Sequence, residues 1–559
     1  MKHVLAISIG PVQDFIKAAR KTRDLWCAST LLSDISRASA KAVESAGGTL
    51  IFPATIDSGS IPNKIVAEIP DNIAPGDVAA KAHAAAKEYW KSKADATLEI
   101  IRKKTGADLI DEKAYWEQID TVLEFNAAWS PIGDMGYEDA RQKAERLLAG
   151  RKQLRDFVQP EHAVGRPKSM LDGGRETVFK PELTSEVLTR LQIKKTEQLD
   201  AVSLVKRLSE QKRFVSLSRV AADPWLRELD RQGVLQPLKD LAAELGKVDD
   251  VAVNRFESSD FPQYSAFPFD TQLFYDADNP QASESPEAAK LFAEGMRLLK
   301  PKRPTPYVAV LVADGDKMGA HISTLTSADG HRKLSETLVD FAQDAGRIVR
   351  EHQGALIYAG GDDVMAFLPL DKAIRCASEL NSAFGKRLNP VAGEATLSVG
   401  IAIVHFQTRL DLALDRARAA EKAAKVKRAS LAIALHTRSA GTQSVTISEE
   451  WKDTPYDKWA TAIEYLSSGN VPDGLPYKLR NLADEFAQVS EDAVRVALAK
   501  EIAQVLRHSR RSTGDLLKID TVQKPLKEIF GSNVESLRLG VNRLIIARHL
   551  VRVAGEASR

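Results

Sequence analysis

Two short acidic segments carry residue types and spacing that can do chemistry: "VADGDKMG", with Asp314 and Asp316, and "AGGDDV", with Asp362 and Asp363. Neighbouring carboxylates repel unless solvent, hydrogen bonds or a cation offsets the charge. The runs flanking Gly360-Gly361-Asp362-Asp363 are short, apolar and rich in β-formers, and the four residues between them are turn chemistry. The pair is therefore either a solvated hairpin turn or part of a cation site. Asp314 and Asp316 stand where the run "YVAVLVA" leaves its sheet. In a βαββαβ sheet the first strand and the hairpin hold the two central positions, so the end of strand one is expected beside the start of the hairpin's first strand, unless the tip bends back. Hard oxygen ligands suit Mg²⁺ or Mn²⁺, and two such ions about 4 Å apart can activate a hydroxyl and stabilise a leaving pyrophosphate.

The same region offers phosphate ligands. Gly315 lets the backbone of "DGDKMG" come close to phosphate oxygens, and Lys317 adds a point charge. Lys425 stands four residues after Glu421 in a helical pattern, so it is open to two readings: a phosphate ligand, or an i,i+4 ion pair on an exposed face. His405, at the end of an apolar run, reads as a packed or capping residue.

These residues need elements to position them. The run "HVLAISIG" reads as a strand, "PVQDFIKAARKTRDLWCASTLLSDISRASAKAVES" as a helix opened by Pro11, "TLIFPA" and "KIVAEIP" as strands, "DVAAKAHAAAKEYWKSKADATLEIIRKKT" as a helix and "IDTVLEFNAAW" as a fourth strand. That order is βαββαβ, the ferredoxin-like pattern. It returns from Pro301: strand "YVAVLVAD", helix, hairpin "ALIYAGGDDVMAFLPL", helix "DKAIRCASELNSAFGKRL", strand "ATLSVGIAIVHF", then helix "LDLALDRARAAEKAAKVK" and strand "LAIAL". Two copies of one architecture suggest a face-to-face pair. The segment between them is polar, then helical, then rich in Pro, Ser and Asp, as a linker domain with a long loop would be. Beyond about residue 443 the pattern is mostly helical. The expected class is α+β, divided as 1–160, 161–300, 301–442 and 443–559.

With 559 residues the chain exceeds a single core. Its net charge of +2 excludes a chain-wide polyanion field and leaves room for local basic surfaces. The last 59 residues hold 11 Lys and Arg against 6 Asp and Glu, either a solvated helical face or a nucleic-acid or partner contact. Cys27 and Cys376 are the only cysteines, too few for a disulfide framework or a four-cysteine zinc site. No apolar run reaches membrane-spanning length, and a soluble cytoplasmic protein is expected.

Taken together, "GPVQDFIKAARKTRDLWCASTLLSDI", "YVAVLVADGDKMG", "LIYAGGDDVMAFLPL", "TLSVGIAIVHF" and "ARAAEKAAK" resemble, in order and over nearly the whole chain, the large polymerase/cyclase subunit of type III CRISPR effector complexes, the Cas ten family, in its Cmr-type branch. The resemblance implies two facing palm-like domains, a small linker domain between them and a helical domain after them. It further implies an enzyme that joins ATP 3′ to 5′ into cyclic oligoadenylates once its complex, carrying CRISPR RNA, captures a matching target RNA. Carried over by position, Asp314, Asp362 and Asp363 are the metal carboxylates for two Mg²⁺ or Mn²⁺ ions, Gly360 and Gly361 shape the turn, and Asp316 is a weaker candidate. One ATP would lie on each palm, with Arg20 and Arg23 lining the shared cleft. Asn63 in "IPNKI" looks family-like without assigned chemistry.

Two departures from the family pattern matter. The chain has no His-Asp dipeptide for an HD nuclease metal site, so DNA cleavage by this subunit is not expected. Ser169, Asp172, Asp200 and Ser203 stand where many relatives carry zinc-binding cysteines, so no zinc is expected and hydrogen bonds or packing must hold that region. Condensation of ATP with another small molecule, of the S-adenosylmethionine-AMP type, and a catalytically silent structural subunit are the alternatives. Bacterial cyclic-dinucleotide cyclases share the hairpin but lack the first palm.

Overall fold

The computed structural model of the chain describes residues 1–57, 59–106, 108–134, 136–154, 166–181, 188, 190–191, 193, 197–209, 214–248, 255–275, 286–299, 303–438, 444–467, 474–486, 500–501, 504–505, 534–551 and 554–555. Strands β1 (His3–Gly10), β2 (Thr49–Phe52), β3 (Lys64–Ile69) and β4 (Glu124–Pro131) form an antiparallel sheet in the order β2-β3-β1-β4. Strands β5 (Arg303–Pro304), β6 (Tyr307–Gly315), β7 (Ala355–Gly360), β8 (Asp363–Leu368), β9 (Leu397–His405), β10 (Ser430–Leu435) and β11 (Val445–Glu450) follow. All but β5 join a second sheet, ordered β11-β10-β9-β6-β8-β7. Strand β12 (Ala554–Gly555) pairs with β5. Within each sheet the four strands of the βαββαβ unit take the same spatial order, fourth-first-third-second, so the duplicated ferredoxin-like pattern is present twice.

The second sheet is covered on both faces, which is why its strands read as continuous apolar runs rather than alternating ones. Ala309, Leu311 and Ala313 of β6 face a core built with the helices Ala328–Glu351 and Leu370–Ala392, through Leu338, Phe341, Leu380 and Phe384. The helical residues near the C-terminus, among them Trp459, Leu479 and Leu544, extend that core. Val308 and Val310 point to the other face, against Ala413, Leu414 and Ala417 of the helix Leu410–Lys427 and Val220 of the helix Leu217–Arg231. Ala19 and Leu25 of the first unit join this second face beside Ile357 and Phe367. Further ties cross between the units: Arg332 Nε donates to the Leu50 carbonyl at 2.9 Å, Ala54 N to Ser335 Oγ at 2.9 Å, and Lys17 pairs with Asp415 at 2.7 Å.

Four sequence expectations change. The long N-terminal helix is two helices, Gln13–Lys17 and Thr22–Ser45. The break arises because Asp24 accepts from the backbone N–H groups of Arg20 (3.2 Å) and Lys21 (3.1 Å), which caps a new start inside "KTRD". A helix, Glu112–Val122, takes the first residues of "IDTVLEFNAAW", and β4 begins only at Glu124. Strand β11 carries the second sheet past residue 442, where a helical region was expected, by pairing antiparallel with β10. Finally, β6 pairs with the second strand of the hairpin, β8, and not the first.

The linker segment clasps the first unit through buried charge. Arg207, on the helix Ala201–Leu208, donates from Nε and Nη2 to the two carboxylate oxygens of Asp24 at 2.5 and 2.7 Å, and its Nη1 lies 3.5 Å from Glu197. Lys206 donates to the carbonyls of Phe15 and Ala18 at 2.9 and 2.5 Å, across the helix break. All four charged groups are buried. Burial lifts the Asp24 carboxyl, but the Arg207 guanidinium outweighs it and holds the group below its ordinary range.

Where thiolates were missing, hydroxyls and a carboxylate stand in. Buried Asp200 accepts from Ser169 Oγ (2.6 Å), Ser203 Oγ (2.5 Å) and Ser203 N (2.9 Å), so it both ties the two segments and caps the helix Ala201–Leu208. Asp172 accepts from Gly174 N at 2.9 Å and pairs with Arg175. Asp200→Ala leaves two buried hydroxyls and a helix end without their acceptor. It is expected to destabilise the chain by roughly 2–4 kcal/mol, read as a lower melting temperature, whereas a zinc chelator leaves the wild-type melt unchanged.

Candidate functional site

The register of three strands assembles the site. Ala313 of β6 pairs with Val364 of β8, and Asp314 pairs with Ser398 of β9. Gly360 pairs with Asp363, which leaves Gly361 and Asp362 as a two-residue hairpin loop. Gly361 has φ +67°, the positive value that the first central position of such a tight hairpin needs. The loop therefore sits level with the end of β6. One carboxylate oxygen each from Asp314, Asp362 and Asp363 lies within 4.8 Å of the others. Gly315 makes the approach possible, because a Cβ there would meet Asp362 Cβ at 2.9 Å and Met318 Cγ at 2.8 Å. A Cβ at Gly360 would strike the Tyr358 hydroxyl at 2.5 Å, the same hydroxyl that donates to the Gly360 carbonyl at 3.1 Å.

The three carboxylates are only partly compensated: Lys425 pairs with Asp314, and Arg418 acts on Asp363. Asp363 is exposed to solvent at the hairpin, although the groups packed around it reduce its hydration. That desolvation first, then the Asp362 and Glu421 charges, pushes it up to about 7, against an opposing pull from Arg418. Burial likewise raises Asp362. Lys425 Nζ contacts Asp314 directly and lies 3.5 Å from Glu421, so both sequence readings of Lys425 meet in one place: it is an ion-paired helix residue, and it faces the acidic cluster. Burial pulls its ammonium down and the Arg428 charge adds to that. A donor set of hard carboxylate oxygens packed against a glycine, with Asp362 and Asp363 both raised, fits a divalent cation of the Mg²⁺ or Mn²⁺ kind.

The other expected residues divide. Lys317 is exposed at the start of the helix Met318–Thr324, with a positive φ of 52°. Asp316 does not serve as a free ligand. It is buried and accepts from Thr396 Oγ1, Ser398 Oγ and Ala429 N, each at 2.8 Å, and its own N–H donates to the Thr396 carbonyl at 2.8 Å. It ties β6 to β9 and to the turn after the helix Leu410–Lys427, so it supports the floor of the site. Arg20 is exposed, 3.8 Å from Glu197, and the half-buried Arg23 is drawn down by burial and interacts with Cys27. The structure brings neither into contact with the aspartates. Asn63 exchanges hydrogen bonds with Ile9, Nδ2 donating to its carbonyl at 3.2 Å and its own carbonyl accepting at 2.9 Å. His405 pairs with Tyr307 at the opposite end of β6 and stacks on Phe406 with ring centres 5.1 Å apart. Burial, then Arg438, lowers it to about 4.

Two features were missed in the sequence. Arg418 acts on both Asp363 and Glu421 from the helix Leu410–Lys427, inside the quoted motif "ARAAEKAAK". Gly400 of β9 lets that helix come so close that a Cβ would overlap Glu421 N at 2.0 Å. An isolated glycine inside a strand pattern was the available signal for such a close backbone approach.

Comparison with known proteins gives two family-model matches: "Cas10/Cmr2, second palm domain" over residues 307–432 and "CRISPR-associated protein Cmr2, N-terminal" over residues 4–95. The CRISPR system Cmr subunit Cmr2 of Pyrococcus furiosus is 36% identical over 142 residues. That match spans 21% of this chain and only 16% of the relative's length. Among solved structures, a chain of the type III-B Cmr-beta apo state has a TM-score of 0.63 at 14% identity, covering 97% of this chain and 81% of that one. A chain of Cmr-beta bound to cognate target RNA has a TM-score of 0.64 at 14% identity, covering 98% and 83%. At that identity the likeness establishes the fold. Among the described residues no helix is long and apolar enough to cross a membrane.

The electrostatics set a pH dependence. Asp363 is raised from an ordinary 3.8 to about 7, so in the metal-free chain it favours the folded state most at low pH and loses that contribution as pH rises towards 7. A cation must displace that proton. Mn²⁺ affinity, measured by titration calorimetry in buffers of differing ionisation enthalpy, is expected to rise from pH 5.5 to pH 8 with proton release near neutrality, and Asp363→Asn should flatten the profile.

Proposed function

We propose that the chain, a Cmr-type member of the Cas10/Cmr2 family by its N-terminal and second palm domains, joins ATP through 3′–5′ linkages into cyclic oligoadenylates. On this reading it does so within a type III-B complex, with the other Cmr subunits, CRISPR RNA and a matching target RNA as partners. The observation that carries the reading is the convergence of Asp314, Asp362 and Asp363, from two separate segments, to within 4.8 Å. A merely solvated hairpin turn would need neither Asp314 nor the Gly315 clearance beside Asp362.

Asp314, Asp362 and Asp363 would hold the divalent cations, which when bound lower the charge of the triphosphate and make the attacking 3′-hydroxyl more acidic. The chain's own residues do the rest. Lys425 and Arg418, on one helix, supply positive charge towards the acidic cluster, where a triphosphate brings more negative charge than the site can otherwise tolerate. Glu421, buried and raised by that burial and by Asp316, limits how freely Lys425 moves away from Asp314. Asp316 fixes the end of β6 so that Asp314 keeps its position against the loop. The Gly400 contact holds the cation-bearing helix at fixed height over β9.

The deciding experiment incubates reconstituted complex with labelled ATP, Mg²⁺ or Mn²⁺ and cognate RNA, with products identified by mass spectrometry. The double variant Asp362→Ala with Asp363→Ala is expected to lower product formation by about 100-fold or more while RNA binding stays nearly unchanged. Synthesis retained in that variant refutes the assignment. A product joining AMP to a second small molecule would favour the condensation chemistry instead.

A further inference from the structure

Strand β7 is irregular just ahead of the acidic loop. Ala355 pairs with Phe367 and Leu356 with Ala366, and then the register steps, with Tyr358 opposite Met365, Ala359 opposite Val364 and Gly360 opposite Asp363. Ile357 is therefore an extra residue, a β-bulge. The packing shows the same step. Ile357 and Tyr358, neighbours in sequence, both turn to the face shared with Val310, Met365 and Ala417, whereas Leu356 and Ala359 turn to the other. Strand alternation puts Asp314, after Ala313, and Asp363, before Val364, on the Tyr358 face as well. Had the register of Leu356 continued, Ala359 would oppose Asp363, and the loop would hold Gly360, Gly361 and Asp362 instead of the last two. The bulge thus sets both the length of the loop and the side from which Tyr358 meets it.

From that side the Tyr358 hydroxyl donates to the Gly360 carbonyl at 3.1 Å. The missing Cβ of Gly360 leaves the room for it, since an atom there would lie 2.5 Å from the hydroxyl and 2.7 Å from Cζ. A carbonyl held in this way fixes the plane of the peptide it shares with Gly361. Gly361, at φ +67°, passes that orientation on to Asp362, whose Cβ lies against Gly315. Burial first, then the charges of Asp363 and Asp362, raises the phenol above its ordinary range, so it remains a donor at any pH where the aspartates ionise. We propose that Tyr358 is a positioning residue: acting from the bulge through the Gly360 carbonyl, it holds the Gly361-Asp362 loop where Asp362 joins Asp314 and Asp363. The metal role of those carboxylates rests on the reading above, whereas the hold on the loop does not.

The test uses the full chain and Tyr358→Phe, which removes the hydroxyl and keeps the ring in its packing, so the variant is expected to melt close to the wild type. In metal-free protein, hydrogen exchange of peptides spanning the hairpin is expected to speed up by about five-fold, as the loss of one hydrogen bond allows, while peptides from β6 and β9 stay unchanged. Mn²⁺ affinity, read by titration calorimetry, should fall by about five-fold. A double-mutant cycle separates positioning from general damage. With Asp362→Asn in place, Tyr358→Phe should cost no further affinity; with Asp314→Asn in place, it should still cost about five-fold. Exchange and affinity both unchanged, or the same loss in the two backgrounds, overturns the proposal. A wild-type chain that takes up no Mn²⁺ defeats the metal reading instead, and hairpin exchange alone then decides the role of Tyr358.

Discussion

Carboxylates gathered within 4.8 Å repel one another, and the antiparallel pairing of β6 with β8 is what holds them there. Asp314 ends one strand, Asp363 begins the other, and Asp362 occupies the loop between β7 and β8. A slip of one residue in that register would turn Asp314 to the opposite face of the sheet. Register is secured by burial on both faces: Ala309, Leu311 and Ala313 on one side and Val308 and Val310 on the other are all essentially inaccessible. The apolar strand sequence is thus the source of the polar geometry. Asp316, tied to Thr396, Ser398 and Ala429, stops the end of β6 from fraying where the repulsion is greatest.

The charge cluster is answered from one helix. Lys425 meets Asp314, Arg418 opposes the shift of Asp363, and Glu421 stands between them on the same face of Leu410–Lys427. Alanine fills the helix side turned to the sheet, and Gly400 faces it from β9, so that small residues on both partners bring backbone to backbone. Site and scaffold share their residues here. Anything that changes the seating of this helix changes the electrostatics of the aspartates with it.

The strand runs, the hairpin and the two βαββαβ orders were legible because period and turn chemistry are local properties. The carboxylate cluster was legible in its members: the flanking apolar runs fixed where Asp314, Asp362 and Asp363 must lie on their strands. Which hairpin strand neighbours β6 was not, since sheet order is decided by packing between distant segments. The break before Thr22 escaped because apolar spacing continues through "KTRD" while Asp24 supplies a cap, and that cap is stabilised by Arg207, far along the chain. Strand β11 escaped because "VTISEE" is half polar, as suits the edge position it takes. Asp316 resembled its neighbours in type, and only its three hydrogen-bond donors, two of them some 80 residues away, reveal a supporting role.

The equal strand order of the two sheets conceals a chemical asymmetry. Immediately before the terminal glycine of β6 stands Asp314; before the terminal Gly10 of β1 stands Ile9, wholly inaccessible to water. The two-residue loop that presents Asp362 has as its counterpart a connection spanning residues 53–63, which runs from β2 to β3. One unit carries acids at these positions, and the other carries an apolar residue and a longer connection. The chain is thus a pseudo-dimer of like folds in which, among the described residues, a single half gathers the carboxylates.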